Sequence, residues 1–313
     1  MLTCIDLFSG CGGLSLGFQN AGFKILVALD NWDKAVNIYN KNFNDHKAII
    51  HDISDIMETV KIIEQFNPDV IIGGPPCQDF SSAGNRNEDF GRAQQSINFA
   101  NIVCKFLPNF FMMENVDRII KSSTIDKVRE IFIKSGYVLH EVILDASYFQ
   151  VPQKRKRFFM FGSKCGDLSK LIDMNIELYR TKKQMTIRDY FGEALKIDYY
   201  YRHPRSYNRR AIFSIDEPSP TIRGVNRPKP ETYNLHQGDP IAIEDLHMIR
   251  SLTTKERSQI QTFPDCFDLS DTKTNIEQMI GNAVPVNLAK FVGLIFKNSI
   301  MELSCANKAV SHN

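Results

Sequence analysis

The first 163 residues alternate short apolar runs with longer stretches of mixed polarity, and that alternation leaves few architectures open. Strands recurring between helix-length segments build a sheet covered by helices, so the pattern predicts an α/β fold. Expected strands are Cys4 to Phe8, Ile25 to Asp30, Ala48 to Asp52, Asp69 to Gly73, Asn109 to Glu114, Val138 to Leu144 and Arg157 to Gly162. Between the first two, Leu14, Leu16, Phe18 and Ala21 fall on an amphipathic helix that stops at Gly22, where the missing Cβ suits a helix end. Several strands end in residues able to do chemistry, namely Asp6 to Gly10, Asp30, Asp52, Gly73 to Cys77 and Glu114-Asn115. In open α/β sheets the carboxyl ends of the strands form the ligand crevice.

Beyond about Lys164 the alternation breaks. Prolines at 204, 218, 220, 228, 230 and 240, with Tyr199 to Tyr201 and paired arginines, predict a loop-rich region of short strands. Pattern returns in Leu252 to Arg257, expected to be a capped helix, and in an apolar helix from about Val286 to Met301, while Leu303 to Asn313 reads as a frayed tail. The formal net charge of +2 conceals an uneven distribution. Residues 151–230 hold 18 Lys and Arg against 8 Asp and Glu, a net +10, which leaves 20 against 28, a net −8, elsewhere. A basic middle in an acidic frame is either a solvated surface or the footprint of a nucleic-acid partner. No run approaches the roughly 18 apolar residues of a membrane span, and Met1 to Asp6 lacks the regions of a signal peptide. The seven cysteines are scattered and never form Cys-x-x-Cys, so neither a disulfide framework nor a metal site is expected.

The opening strand leads into Phe8-Ser9-Gly10-Cys11-Gly12-Gly13-Leu14, a glycine turn before a helix, which lets backbone amides approach a ligand. A dinucleotide fingerprint would place its third glycine at 15, where this chain has Ser15, so a pyrophosphate cradle is not the best reading. Asp30 could hold two ribose hydroxyls, and Asp52-Ile53 could receive an adenine amine. Taken singly, such carboxylates also serve as turn or helix caps. In Gly73-Gly74-Pro75-Pro76-Cys77-Gln78 two prolines fix the backbone before a cysteine, which is either a nucleophile facing the crevice or a buried structural thiol. Glu114-Asn115, expected in the same crevice, favours the nucleophile, because a thiol with an acid beside it has a mechanism. Arg155 and Arg157 would share one side of a strand if the alternation holds.

In their order these motifs resemble the cytosine-C5 DNA methyltransferases of the bacterial restriction-modification type. Asp6 to Gly13 is similar to the family's first S-adenosylmethionine motif, Gly74-Pro75-Pro76-Cys77-Gln78 to its catalytic motif, and Glu114-Asn115-Val116 to its acid motif. Val151 to Arg157, Leu252-Thr253 through Gln261-Thr262-Phe263-Pro264-Asp265, and Gly281-Asn282-Ala283-Val284-Pro285 complete the set. The resemblance implies a Rossmann-like, S-adenosylmethionine-dependent sheet, residues 1–163 with 275–313, and a smaller loop-rich target-recognition domain over 164–274. It implies that Cys77 attacks C6 of a flipped cytosine, that Glu114 holds the base with Asn115 orienting it, and that Arg157 binds the base oxygen with Arg155 in support. The cofactor would touch Phe8, Ser9, Gly10, Gly12, Gly13, Leu14, Asp30, Asp52, Ile53, Gly74, Pro76, Asn282 and Ala283, with its adenine on either Asn31 or Trp32. Double-stranded DNA would meet Ser81 in a loop that closes after Cys77, and Arg202, Arg205, Arg209, Arg210, Arg223 and Arg227 in the basic middle. No metal is implied. The family resemblance further implies a cytoplasmic, nucleoid-associated monomer, with room for a cognate restriction endonuclease that forms no stable complex with it.

Two departures stand out: Asp30-Asn31-Trp32 replaces the usual Glu before a large apolar residue, and Gln150 stands where the family has Gly. The rival readings are a transfer-RNA cytosine methyltransferase, an amino-methyltransferase and a catalytically dead DNA binder. The first lacks its Cys-Phe-Thr marker in the target region, the nearest match being Cys266-Phe267-Asp268. The second needs no cysteine, and the third would show damaged motifs.

Overall fold

The computed structural model describes residues 1–76, 89–206 and 208–311. The chain divides into two compact units, Met1–Leu144 with Lys156–Arg180 and Ala289–Asn313, and Asp145–Arg155 with Thr181–Leu288. The motifs place the boundaries at 163/164 and 274/275, whereas the units divide at 144/145, 155/156, 180/181 and 288/289. Motif order records where chemistry is carried and not where side chains pack, so the two partitions differ.

In the first unit β1 (Thr3–Leu7), α1 (Gly13–Asn20), β2 (Lys24–Asp30), α2 (Asp33–Asn42), β3 (Ala48–Ile50), α3 (Ile56–Glu64), β4 (Val70–Gly73), α4 (Asp89–Phe106), β5 (Phe110–Val116), α5 (Ser123–Lys134) and β6 (Val138–Asp145) follow one another. After the two-residue β7 (Gln153–Lys154) come β8 (Lys156–Ser163) and α6 (Ser169–Tyr179). The sheet runs β3-β2-β1-β4-β5-β8-β6, parallel through its first five strands, with β8 antiparallel to β5. Helices cover both faces, which is why the middle strands read as unbroken apolar runs: all four residues of β4 and six of the seven in β5 are buried. Strand order reverses between β1 and β4, so their carboxyl ends open the crevice of a doubly wound sheet.

Helix α1 ends as its sequence predicts. Gly22 takes φ +87, its N–H bonds the carbonyl of Gln19, and the Phe23 N–H reaches back to Phe18, both orphan carbonyls being satisfied by one left-handed residue. The last helix, α10 (Val286–Ser311), outruns the expected Met301 by ten residues, so the tail read as frayed is helical to Ser311. From Ala289 onward it crosses α1 through small residues. A Cβ on Gly17 would lie 2.3 Å from that of Ala289, and one on Gly293 2.8 Å from that of Ala21. Phe296 then sets its ring edge against Phe110.

The second unit holds α7 (Ile187–Phe191), β9 (Tyr199–Tyr201), β10 (Ile212–Ser214), β11 (Ser219–Pro220), α8 (Thr254–Ile260) and α9 (Lys273–Asn282). β9 and β10 pair antiparallel and β11 joins β7 in parallel. Its apolar core gathers Ile187, Tyr200, Phe213, Ile222, Leu252, Ile260, Ile276 and Ile280. α8 begins at the expected cap, where Thr253 and Glu256 bond each other's backbone N–H.

Candidate active site

The glycine turn after β1 is held open by left-handed backbone at Phe8 (φ +62), Gly10 (φ +54) and Gly12 (φ +99). A side chain at Gly12 would meet the rings of Phe43 and Tyr39, so that position accepts glycine alone. Both oxygens of Asp30 are engaged with this region, one with the Gly10 N–H and the other with the Trp32 N–H, each at 2.8 Å. A carboxylate oxygen accepts more than one hydrogen bond, so Asp30 pins the loop and keeps lone pairs for a diol. Burial raises its carboxyl above the ordinary value, against the pull of those amides.

Asn31 is exposed, and Trp32 is half-buried as the cap of α2. Asp52 lies beyond the end of β3, exposed, and two bonds from Ser54 hold its carboxyl below the usual range. Ile53 is 2% exposed, its side chain packed in the apolar core. Gly13 and Leu14 open α1, which has no side-chain cap, and the buried Ser9 Oγ has no partner among the described residues. Uncapped amides, an orphan hydroxyl, an aromatic face and an acid with free lone pairs suit a polar nucleoside-bearing ligand.

Across the switch point, the Gly74 N–H reaches the Leu7 carbonyl and the chain passes through buried Pro75 to exposed Pro76. Cys77 and Ser81 lie outside the described residues. The acid that faces this turn is placed by β5: Glu114 is 8% exposed, and a Cβ on Gly74 would come within 3.0 Å of its Oε2. Arg157, whose register partner is Val116, reaches diagonally to Glu114, Nε to Oε1 at 2.9 Å. Asn115 has a different task from the one expected. Its amide nitrogen donates to the Pro75 carbonyl at 3.1 Å and contacts Ser96 Oγ, and its oxygen takes the Val116 N–H. It therefore braces the proline turn and makes no bond to the carboxylate.

Arg155 also departs from expectation. The strand expected to carry both arginines is interrupted between β7 and β8 at Arg155. Its guanidinium, 1% exposed, donates to the carbonyls of Ile222, Gly281 and Ala283. Gln153 and Gln261 continue this fastening, Gln153 Nε2 to Gln261 Oε1 at 2.7 Å and the Ile222 N–H to Gln153 Oε1 at 2.8 Å. The Gln-x-Arg spacing thus knits the second unit from within. Asn282, exposed, ends α9, and Ala283 caps it, so both belong to the second unit rather than to the one bearing the glycine turn. Gln150, the residue in place of glycine, keeps the left-handed conformation at φ +55.

The expected DNA contacts divide. Arg202 donates to the Thr221 carbonyl, Arg223 to that of His203, and Arg210 pairs with Glu217 while lying over the Phe213 ring. Burial lowers Arg202 to about 10. These three are drawn into the unit's framework because each reaches a carbonyl or carboxylate that its own loops supply. Arg205, Arg209 and Arg227 remain exposed. Sequence reasoning missed the buried Arg257–Glu277 pair, 2.7 Å apart, and the file of Ser15, Tyr39 and His46 behind the glycine turn. Of these only Ser15, a polar residue where glycine was sought, left a mark in the sequence.

Residues 2–297 match the family described as C-5 cytosine-specific DNA methylase. The chain belongs to that family. Within it the chain is 55% identical to the Type II methyltransferase M.HindV of Haemophilus influenzae, covering 93% of this chain and 95% of that one. It is 52% identical to the Type II methyltransferase M.HgiDI of Herpetosiphon aurantiacus, covering 93% of each. Among solved structures, a prophage-encoded methyltransferase of E. coli superposes with a TM-score of 0.69 at 22% identity, over 96% of this chain and 99% of that one. The S. pombe Dnmt2 methyltransferase gives 0.68 at 21%, over 95% and 98%. These two share the family's Rossmann-like fold.

Proposed function

We propose that this DNA cytosine-C5 methyltransferase is the modification enzyme of a Type II restriction-modification system, acting on a short duplex sequence with Cys77 as nucleophile. The observation that carries the reading is the Glu114–Arg157 pair, held at the end of β5 beside the Gly74-Pro75-Pro76 turn that precedes Cys77 in sequence. S-adenosylmethionine supplies an electrophilic methyl group. The Cys77 thiolate adds to C6 of a flipped cytosine, and the electron pair moves to C5, which takes the methyl. Glu114 in its protonated form donates to N3 and accepts from the exocyclic amine, the proton offsetting charge that builds in the ring, and Arg157 donates to the base oxygen. Loss of the C5 proton to water then breaks the C6–S bond and expels Cys77 as thiolate. Asn115 braces the proline turn through the Pro75 carbonyl, and Arg155 braces the second unit from which DNA is read.

For the methyl donor, the Phe8 to Gly12 turn and the α1 amides receive the amino-acid end, Asp30 the ribose, and Asp52 the adenine amine. Trp32 supplies the stacking face that Asn31 lacks. Arg205, Arg209 and Arg227 meet DNA, in the bacterial cytoplasm, without a stable complex with an endonuclease. The transfer-RNA alternative is not favoured, because the relatives at 52–55% identity are named Type II methyltransferases. Incubation of the protein with duplex DNA and methyl-labelled S-adenosylmethionine tests the reading. Label at cytosine C5 that disappears in Cys77→Ala supports it, and full activity in that variant sinks it. Bisulfite sequencing of the product gives the recognition sequence.

A further inference from the structure

Behind the glycine turn, five side chains from β1, α1, α2 and the turn after α2 stand in single file. Ser15 Oγ lies 2.6 Å from Asp6 Oδ2, Tyr39 Oη 2.9 Å from Ser15 Oγ, His46 Nε2 2.8 Å from Tyr39 Oη, and Asp45 Oδ1 2.9 Å from His46 Nδ1. Asp6, Ser15 and Tyr39 are wholly buried and His46 nearly so, while the Asp45 side chain is 62% exposed. The file therefore runs from solvent to the strand residue two positions before Phe8.

Donor counting leaves two arrangements. An ionised Asp45 only accepts, so His46 Nδ1 carries a proton in both. In one, a protonated Asp6 donates to Ser15, Ser15 to Tyr39, and Tyr39 to a neutral His46 ring. In the other every bond reverses: an imidazolium donates to Tyr39, Tyr39 to Ser15, and Ser15 to an ionised Asp6. Both contain the same number of protons. Asp6 Oδ1 accepts no hydrogen bond among the described residues, which favours the arrangement that leaves it uncharged. Burial, and after it the Asp30 carboxylate, push Asp6 up to about 7 against the Ser15 bond. Burial moves His46 down, opposed by Asp45 and helped by Lys47. The other ionisable group facing Asp6 is Cys4 on β1, kept a thiol by burial, with Asp69 beyond it.

We infer that this file is a proton shuttle that matches the charge behind the loop to that of the bound ligand: the sulfonium of S-adenosylmethionine draws the proton from Asp6 to His46, and the neutral thioether of S-adenosylhomocysteine leaves it on Asp6. The inference rests on reading the loop as the methyl-donor cradle. The transfer balances within the chain. The Asp6 proton passes to Ser15 Oγ, the Ser15 proton to Tyr39 Oη, and the Tyr39 proton to His46 Nε2, with nothing exchanged with solvent. Positive sulfur then has an ionised carboxylate behind the loop and the spent product does not, so donor is retained and product released.

Nitrogen-15 NMR of the histidine-labelled full chain, with either ligand, tests this. The His46 ring should take imidazolium shifts with S-adenosylmethionine and neutral shifts with S-adenosylhomocysteine. Tyr39→Phe keeps the ring against Phe43 but removes Oη. In that variant His46 should stay neutral with both ligands, donor binding should release a proton to buffer, and calorimetric preference for donor over product should fall by about fivefold or more. Should that variant not fold, the wild-type spectra decide. Donor binding that leaves the His46 spectrum unmoved overturns the shuttle alone, whereas failure of the wild type to bind either ligand overturns the cradle reading with it.

Discussion

Under the proposed mechanism Glu114 and Arg157 serve both stability and chemistry. Each side chain is about one-tenth exposed, 11% and 12%, and each compensates the other's charge. Arg157→Ala leaves a buried carboxylate without its counter-ion and is expected to cost about 3 kcal/mol, read from urea unfolding. Glu114→Gln is expected to lower kcat by on the order of 10²- to 10³-fold while leaving donor affinity unchanged, read from labelled methyl transfer and calorimetry. Asp6 carries a pH signature. Its folded carboxyl, at about 7, lies above the unfolded value of about 3.9. The native state therefore holds the proton more tightly. Stability from this group is fully present below about pH 4 and is lost as pH rises through about 7. Asp6→Asn should flatten unfolding midpoints across that window. At this scale the sequence was legible where one residue type suffices for a local conformation, as with the left-handed glycines of the turn after β1. It was silent where a task depends on distant partners: nothing in the spacing of Asn115 and Pro75, or of Tyr39 and His46, announces their contacts.

Elements were easier to read than partners, because burial imposes its period on local sequence. The seven strands of the main sheet fall within two residues of their expected ends, and α1 stops where a left-handed glycine was expected. Failures occurred where burial imposes no pattern. From Met301 to Ala306 the side chains of α10 are largely exposed, so helix and frayed tail look alike in sequence. The break at Arg155 arises from carbonyls supplied by residues 222 to 283, far along the chain. The α1–α10 crossing yields a prediction whose sign is set by magnitude. Gly17→Ala gains about 1 kcal/mol of helix propensity. The added methyl would sit 2.6 Å from the Lys290 backbone nitrogen, which cannot swing aside, and overpacking costs typically 1 to 3 kcal/mol. A lower melting temperature is expected by calorimetry.

For the whole molecule, net charge is uninformative until divided, and the structure divides it once more. Of the six arginines expected at DNA, Arg202, Arg210 and Arg223 bond within the unit that carries them, while Arg205, Arg209 and Arg227 are exposed and are the ones proposed to meet phosphate. Replacing those three with Ala should reduce the slope of log affinity against log salt by about 0.9 for each phosphate no longer neutralised. Titration of duplex DNA at several salt concentrations measures it, and an unchanged slope would remove them from the interface. The partition into units was the least legible feature, since it depends on packing that motif order does not record.

The crossing of α1 by α10 also bears on how the protein is made. Lys297 Nζ bonds the Ala21 carbonyl across 276 residues of chain. At about 5 to 20 residues per second, a ribosome needs on the order of tens of seconds to supply that partner once Ala21 has emerged. Throughout that interval the helix beside the glycine turn lacks the surface it packs on. A nascent chain therefore holds α1 undocked until α10 has been synthesised.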